Sequence, residues 1–177
     1  MARARACFEF EHLHQPDGWL SPGYLQADEH GTIVDVAAAR PLDWPHDAVR
    51  IEGYAIPGMP NLHSHGFQRA LAGRTEYRSH TTDTFWTWRE AMYRCAEAID
   101  PESLEDVTAM AFLEMLRAGY TAVAEFHYVH RAPDGTRYAD PAEMCWRVLA
   151  AAARVGIAVT LLPVLYLRGG FGKPLQP

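Results

Sequence analysis

The sequence is poor in cysteine. Its 177 residues contain three, Cys7, Cys95 and Cys145. They are odd in number and far apart, so they provide neither a disulfide framework nor the paired spacing of a zinc knuckle. Because disulfides belong mainly to oxidising compartments, we expect the protein to be cytoplasmic.

Long apolar runs and an excess of basic residues are also lacking. No run approaches the roughly 20 apolar residues that a membrane-spanning helix needs, and the basic start of the chain lacks the apolar segment of a signal peptide. The formal net charge is -6 at pH 7. We therefore expect no nucleic acid and no membrane among the partners of this protein.

The predicted secondary structure changes character near residue 50. Residues 4–12, 19–27 and 32–37 have the alternation and turn residues of β-strands, and a loop with two prolines follows. The first fifty residues are thus mostly β-structure, in the manner of a meander.

After residue 50, strands alternate with helices, which is typical of βαβ units with a parallel sheet. Three such strands leave an apolar sheet edge unpaired, and a complete (β/α)₈ barrel takes about 250 residues. We therefore expect residues 51–177 to form the first three βα units of an incomplete barrel, in a truncated chain or the N-terminal part of a larger protein. The predicted elements are strand 51–56, helix 84–98 capped by Asp83 or Thr82, a helix starting at Asp100-Pro101, strand 120–127, a helix from Asp140-Pro141 to Gly156, and strand 157–167.

The segment 57–68, PGMPNLHSHGFQ, places His63 and His65 two residues apart, directly after an apolar run. Residues i and i+2 of a strand point to the same face. Two imidazoles on one face can reach a single ion, and they suit Zn²⁺, at about 2.0–2.1 Å from nitrogen to metal. The flanking prolines and glycine indicate that the strand ends here, and such a junction is where parallel α/β barrels place their chemistry.

A second pair with the same spacing, His12 and His14, has a different expected role. It follows the alternating segment Phe8-Glu9-Phe10-Glu11. Alternation places both histidines on the face of the two phenylalanines. We expect them to complete the rim of an apolar face.

Three segments carry a resemblance to a known family: HSHGFQRALAG, DTFWTWREAMY and AEFHYVH. Together they resemble the amidohydrolase superfamily of metal-dependent hydrolases, and within it the formimidoylglutamate deiminase family. The resemblance implies a (β/α)₈ barrel flanked by a small β-sandwich, to which residues 1–50 contribute the N-terminal strands. It also implies zinc-dependent hydrolysis of N-formimino-L-glutamate to N-formyl-L-glutamate and ammonia, in histidine degradation.

The resemblance also implies roles for individual residues. By this resemblance, His63 and His65 are expected to bind the metal. Gln68, Arg89 and Tyr128 are expected to contact the substrate. The family draws its third histidine, an aspartate and its acid and base from later barrel strands. We therefore expect no catalytic residue within residues 1–177, and we expect this chain alone to be inactive.

The residue types agree with a small-molecule substrate that carries two carboxylates. A guanidinium can bind a carboxylate through two parallel hydrogen bonds, and Arg89 follows Trp86 and Trp88, which can partly desolvate it. Alternation alone does not decide whether His127 or Tyr128 faces the pocket. The sequence does not reveal the oligomeric state, and we leave a homodimer open as an expectation.

Two other functions stay open at this stage. The first is an amidohydrolase-superfamily deaminase that acts on a ring substrate, whose pocket should be aromatic and neutral where Arg89 stands. The second is a non-catalytic fragment that serves as a binding piece.

Overall fold

The computed structural model describes residues 6–75, 84–168 and Gly172. The chain divides into two compact units, Met1–Pro57 and Gly58–Pro177. Among the described residues, every helix is too short or too polar to cross a bilayer.

The first unit is a five-stranded sheet. Strands β2, β1, β3 and β4 are neighbours in that order with antiparallel pairing, and β5 pairs with β1 in parallel. The predicted strand 19–27 is two strands, separated at Ser21-Pro22, because proline cannot donate to a ladder. The bounds are β1 Ala6–Gln15, β2 Gly18–Leu20, β3 Gly23–Ala27, β4 Ile33–Ala37 and β5 Val49–Ala55.

The histidines of this unit behave as rim residues. The His12 ring stacks on Tyr54 at 4.4 Å, and its Nδ1 lies 2.8 Å from the Ser21 hydroxyl. The His14 ring meets the edge of Trp19 at 5.0 Å. Both imidazoles thus extend an aromatic cluster on one face of the sheet, as expected.

The strand 51–56 was wrongly assigned to the barrel-like part. It is β5, which pairs with β1 of the first unit, and the strand before His65 is a separate one, Met59–Ser64. This strand could not be recognised from the sequence because it contains Pro60, and proline is confined to sheet edges and strand ends. In the described sheet Met59–Ser64 does lie at an edge.

The second unit is built on a parallel sheet of three strands in the order β6-β7-β8. As predicted, one helix begins with Asp100 as its N-cap and Pro101 in its first turn. Helix α1 is capped by Thr84, while the expected caps Asp83 and Thr82 lie outside the described residues. The bounds are β6 Met59–Ser64, a 3₁₀ helix Gly66–Leu71, α1 Phe85–Glu97, α2 Pro101–Arg117, β7 Tyr120–His127, α3 Glu143–Val155 and β8 Ala158–Pro163.

The core of this unit lies between β7 and the helices α2 and α3. Phe112, Leu104, Met144 and Val148 are almost completely buried there. Alternate residues of β7 face this core, and they include two that are titratable, Glu125 and His127, each only 1% exposed. A carboxyl group and an imidazole are thus held inside an otherwise apolar layer.

Candidate functional site

The structure brings the imidazoles of His63 and His65 together at the end of β6. Their ring centroids are 4.7 Å apart and their planes are nearly perpendicular, at 82°. His63 is exposed and His65 half-buried. The Phe126 ring of the neighbouring strand lies 5.0 Å from His63 and 6.0 Å from His65. The Phe126 ring therefore packs beside both imidazoles.

A backbone carbonyl fixes the orientation of the His65 ring. Its Nδ1 lies 3.0 Å from the carbonyl oxygen of Phe126. Since a carbonyl only accepts, Nδ1 carries the proton and donates it, which leaves the lone pair on Nε2. This is the arrangement in which a metal-binding histidine is usually held. The residues present therefore fit a divalent metal between these two rings.

Tyr128 faces the same side of the sheet as this pair. Its hydroxyl is 3.5 Å from His65 Nε2, and the two ring centroids are 4.6 Å apart. Burial is the main cause that raises the pKa of Tyr128. The phenol thus stays protonated at neutral pH and can donate a hydrogen bond next to the histidine pair.

Glu125 supports the turn that follows His65, and sequence reasoning missed it. Its Oε1 accepts a hydrogen bond from the Gly66 amide at 2.5 Å. Burial is the largest influence on this carboxyl and raises its pKa, against hydrogen bonds from Ser64 and Gly66 that lower it. The available signal was a lone acid inside an apolar strand, where a charged group needs a partner.

The 3₁₀ helix after the pair is fastened to α2. Arg69 donates from Nε and Nη2 to the two carboxylate oxygens of Glu114, at 2.6 and 2.8 Å. This bidentate pair holds down the segment that contains Gln68. Gln68 itself donates to the sulfur of Met92 at 3.3 Å, so the structure ties it to α1.

Arg89 lies on α1 and is partly desolvated by aromatic rings. Its guanidinium carbon is 5.7 Å from the centroid of Trp86 and 5.1 Å from that of Tyr93. Its Nε and Nη2 both donate to the Tyr93 hydroxyl, at 3.0 and 2.6 Å. The second aromatic partner, Tyr93, replaces the expected Trp88.

A cavity of about 720 Å³ joins Arg89 to Tyr128. Four arginines line it, together with the acid Glu97 and several tyrosines. Within the described ranges, none of the four forms an ion pair with an aspartate or glutamate. The cavity, which Tyr128 also lines, thus carries four arginines against one acid. The four are Arg89, Arg131, Arg137 and Arg168.

Sequence reasoning missed a second group of metal-ligating side chains in this unit. It consists of His127, His130 and Cys145. His130 lies in the loop after β7. Cys145 lies far along the chain and on a helix, so no local spacing could have paired it with the histidines.

The chain belongs to the amidohydrolase family, whose sequence profile matches residues 54–159. It is similar to the formimidoylglutamate deiminase of Pseudomonas aeruginosa, with 49% identity over 157 residues. That match covers 89% of this chain and 34% of the relative, so the chain spans about a third of that protein's length.

Solved structures agree with this assignment. An amidohydrolase from Brucella melitensis superposes with a TM-score of 0.88 at 38% identity, over 97% of this chain and 38% of that one. A zinc complex of atrazine chlorohydrolase from Arthrobacter aurescens TC1 has a TM-score of 0.65 at 20% identity, over 88% and 35% of the two chains. The latter likeness shows a shared fold. The family and the similarity to a deiminase, both expected from the sequence, are therefore confirmed.

Proposed function

We propose that this chain supplies the first metal ligands and part of the substrate pocket of a cytoplasmic deiminase. The reaction is hydrolysis of N-formimino-L-glutamate to N-formyl-L-glutamate and ammonia, in histidine degradation. One observation carries the proposal: Tyr128, whose hydroxyl is 3.5 Å from His65 Nε2, also lines the cavity that contains four arginines. The histidine pair that would bind the metal thus lies next to a pocket that would bind carboxylates.

We infer that β6, β7 and β8 are the first three strands of a (β/α)₈ barrel and that the first unit belongs to a small β-sandwich. Parallel pairing in chain order, with helices between the strands, supports the barrel. The histidine pair lies at the carboxyl end of β6, the end at which such barrels place their active sites.

His63 and His65 would hold Zn²⁺ in this proposal. Two neutral imidazoles suit that ion, and the structural neighbour from Arthrobacter aurescens is complexed with zinc. A bound Zn²⁺ lowers the pKa of water and so provides a nucleophile near neutral pH. A catalytic zinc needs about three protein ligands, and we therefore expect full activity only where later strands contribute theirs.

The arginines account for a substrate with two carboxylates. A guanidinium binds a carboxylate bidentately, and burial against Trp86 and Tyr93 strengthens the pairing. Arg89 already donates two hydrogen bonds to the Tyr93 hydroxyl. A substrate carboxylate would replace that neutral acceptor by a charged one, while Tyr128 would donate to the reacting end.

The direct test measures ammonia release from N-formimino-L-glutamate by the full-length product of the locus. We expect Arg89→Ala to raise KM about 10-fold to 100-fold, in line with loss of a charged hydrogen bond. Arg94→Ala is the matched control, because Arg94 lies exposed on the same helix outside the cavity. An equal effect of both variants contradicts the proposed role of Arg89.

A substrate panel separates the competing functions. Turnover of a purine or triazine ring that resists Arg89→Ala would identify a ring deaminase instead. Absence of activity on every substrate in the full-length product would identify a binding piece. Light scattering of the same sample tests the homodimer.

A further inference from the structure

His127, His130 and Cys145 converge from three places in the second unit. His127 ends β7, His130 lies in the loop that follows, and Cys145 is in the first turn of α3. One ligand atom from each lies within 4.8 Å of the others. Around one tetrahedral zinc, ligand atoms stand about 3.3–3.6 Å apart, so small side-chain rotations would complete the geometry.

The lone pair of His127 is buried and has no partner. The side chain is 1% exposed, and no group hydrogen-bonds to its Nε2. The His127 ring also forms a hydrogen bond with the backbone of Val129. Because Nε2 has no partner, the donor in this bond is Nδ1. A neutral, unpaired imidazole nitrogen inside a core is costly unless something binds it.

His130 also has one ring nitrogen held by a backbone carbonyl. Its Nε2 is 3.0 Å from the carbonyl oxygen of Val164, so Nε2 donates and Nδ1 keeps the lone pair. Its ring is nearly perpendicular to that of His127, with centroids 4.8 Å apart. Both rings thus have one nitrogen held by the backbone and the other available, the arrangement usual for metal ligands.

Cys145 adds a soft ligand. Burial raises the pKa of its thiol, so the sulfur is protonated in the metal-free chain and would release that proton to solvent on binding a metal. Asp140 is already engaged: its carboxylate accepts from the Ala142 amide and the Trp146 indole, at 2.8 and 3.1 Å. The protein therefore offers two imidazoles and one thiolate.

We propose that His127, His130 and Cys145 bind a structural Zn²⁺, separate from the metal of the His63–His65 pair. The ion would join the end of β7 to the start of α3 and so close the loop between them. That loop contributes Arg131, Arg137 and Tyr138 to the cationic cavity. Because His130 itself lines this cavity, the second metal would fix the wall of the pocket.

The test uses the whole chain with His63→Asn and His65→Asn, so that only the second site can load. After incubation with ZnCl₂ and gel filtration, we expect one zinc per chain by elemental analysis. Adding Cys145→Ala should weaken zinc binding at least about 100-fold, more than loss of an outer-shell partner does. Cys95→Ala is the matched control, because Cys95 is also a half-buried helix cysteine.

Cobalt substitution gives a readout that does not depend on activity. We expect a thiolate-to-Co²⁺ absorption band that persists with Cys95→Ala and disappears with Cys145→Ser, a variant that keeps the size of the side chain. Zinc that stays bound in both Cys145 variants, or a chain that binds none, overturns the proposal. Because the His63–His65 pair is absent throughout, failure here leaves the proposed deiminase function standing.

Discussion

Two groups of histidines lie at the ends of neighbouring strands of one sheet, yet their surroundings differ. The rings at β6, His63 and His65, are exposed or half-buried and adjoin Tyr128. The ring of His127, the last residue of β7, is buried, and one ligand atom of His127 lies within 4.8 Å of the sulfur of Cys145 in α3. The surroundings differ because the two groups lie on opposite faces of the sheet: His127 and Tyr128 are adjacent in sequence, and their side chains point to opposite sides. The His63–His65 pair is thus accessible at the end of its strand, whereas the His127 ring is enclosed in the core.

The largest effect should come from removing the exposed pair. With His63→Ala and His65→Ala in the full-length product, we expect deiminase activity to fall at least about 1,000-fold, because the proposed metal would provide several kcal/mol of transition-state stabilisation. Cys145→Ala should reduce activity far less, because Cys145 does not line the cavity. A comparable loss in both variants would show that the two groups do not have separate roles.

The second prediction concerns pH and the buried group. In the metal-free chain, the shift of the His127 pKa from 6.5 to about 4 corresponds to roughly 3 kcal/mol. A lowered pKa means that the unfolded chain binds more protons, so this stability is present above pH 6.5 and is lost as the pH falls towards 4.

Urea unfolding with a chelator between pH 4 and 7 measures this loss. His127→Gln should flatten the dependence relative to the wild type. His14→Gln, which removes a half-buried histidine of the first unit, should leave it unchanged. Identical pH profiles for the wild type and His127→Gln would mean that His127 is protonated equally in both states.

The third prediction tests the link between the two strands. Gly66 donates to Glu125 of β7, and a Cβ on Gly66 would lie 2.9 Å from Cγ2 of the buried Thr108. Gly66→Ala should therefore lower the free energy of unfolding by about 1–3 kcal/mol through overpacking. Thr108→Ser removes that methyl group, and the double variant should recover part of the loss in a denaturant titration. Strictly additive effects would place the strain elsewhere.

The smallest effect should come from Tyr128→Phe. The hydroxyl is 3.5 Å from His65 Nε2, the outer limit of a hydrogen bond, so the free energy of unfolding should change by less than about 0.5 kcal/mol. Thermal unfolding checks this. We expect turnover to fall while stability does not, and a drop of several kcal/mol in stability would make Tyr128 a structural residue.

The sequence predicted those parts of the fold that depend on local signals. Helix α2 was predictable from the cap Asp100 and the adjacent Pro101, and strand β7 from its apolar run before His127. Strand β6 was not, because it contains Pro60 and because β5 resembles the strand expected before the histidine pair until its pairing with β1 is seen. Pairing between distant segments leaves no signal in the local sequence.

The candidate site follows the same division. His63 and His65 could be found from their spacing, and family resemblance pointed to Tyr128 over His127. The buried group could not be found, because Cys145 reaches the histidines only once α3 packs against the sheet. Sequence spacing detects ligands that share one strand, whereas ligands from separate elements need the fold.

Anomalous diffraction at the zinc edge from crystals of the zinc-loaded chain tests the central claim most directly. We expect a peak between His63 and His65, within coordination distance of Nε2 of His65, which the Phe126 carbonyl leaves unprotonated. A zinc-saturated crystal with no peak there, and with His65 Nε2 hydrogen-bonded to Tyr128 alone, would contradict the account.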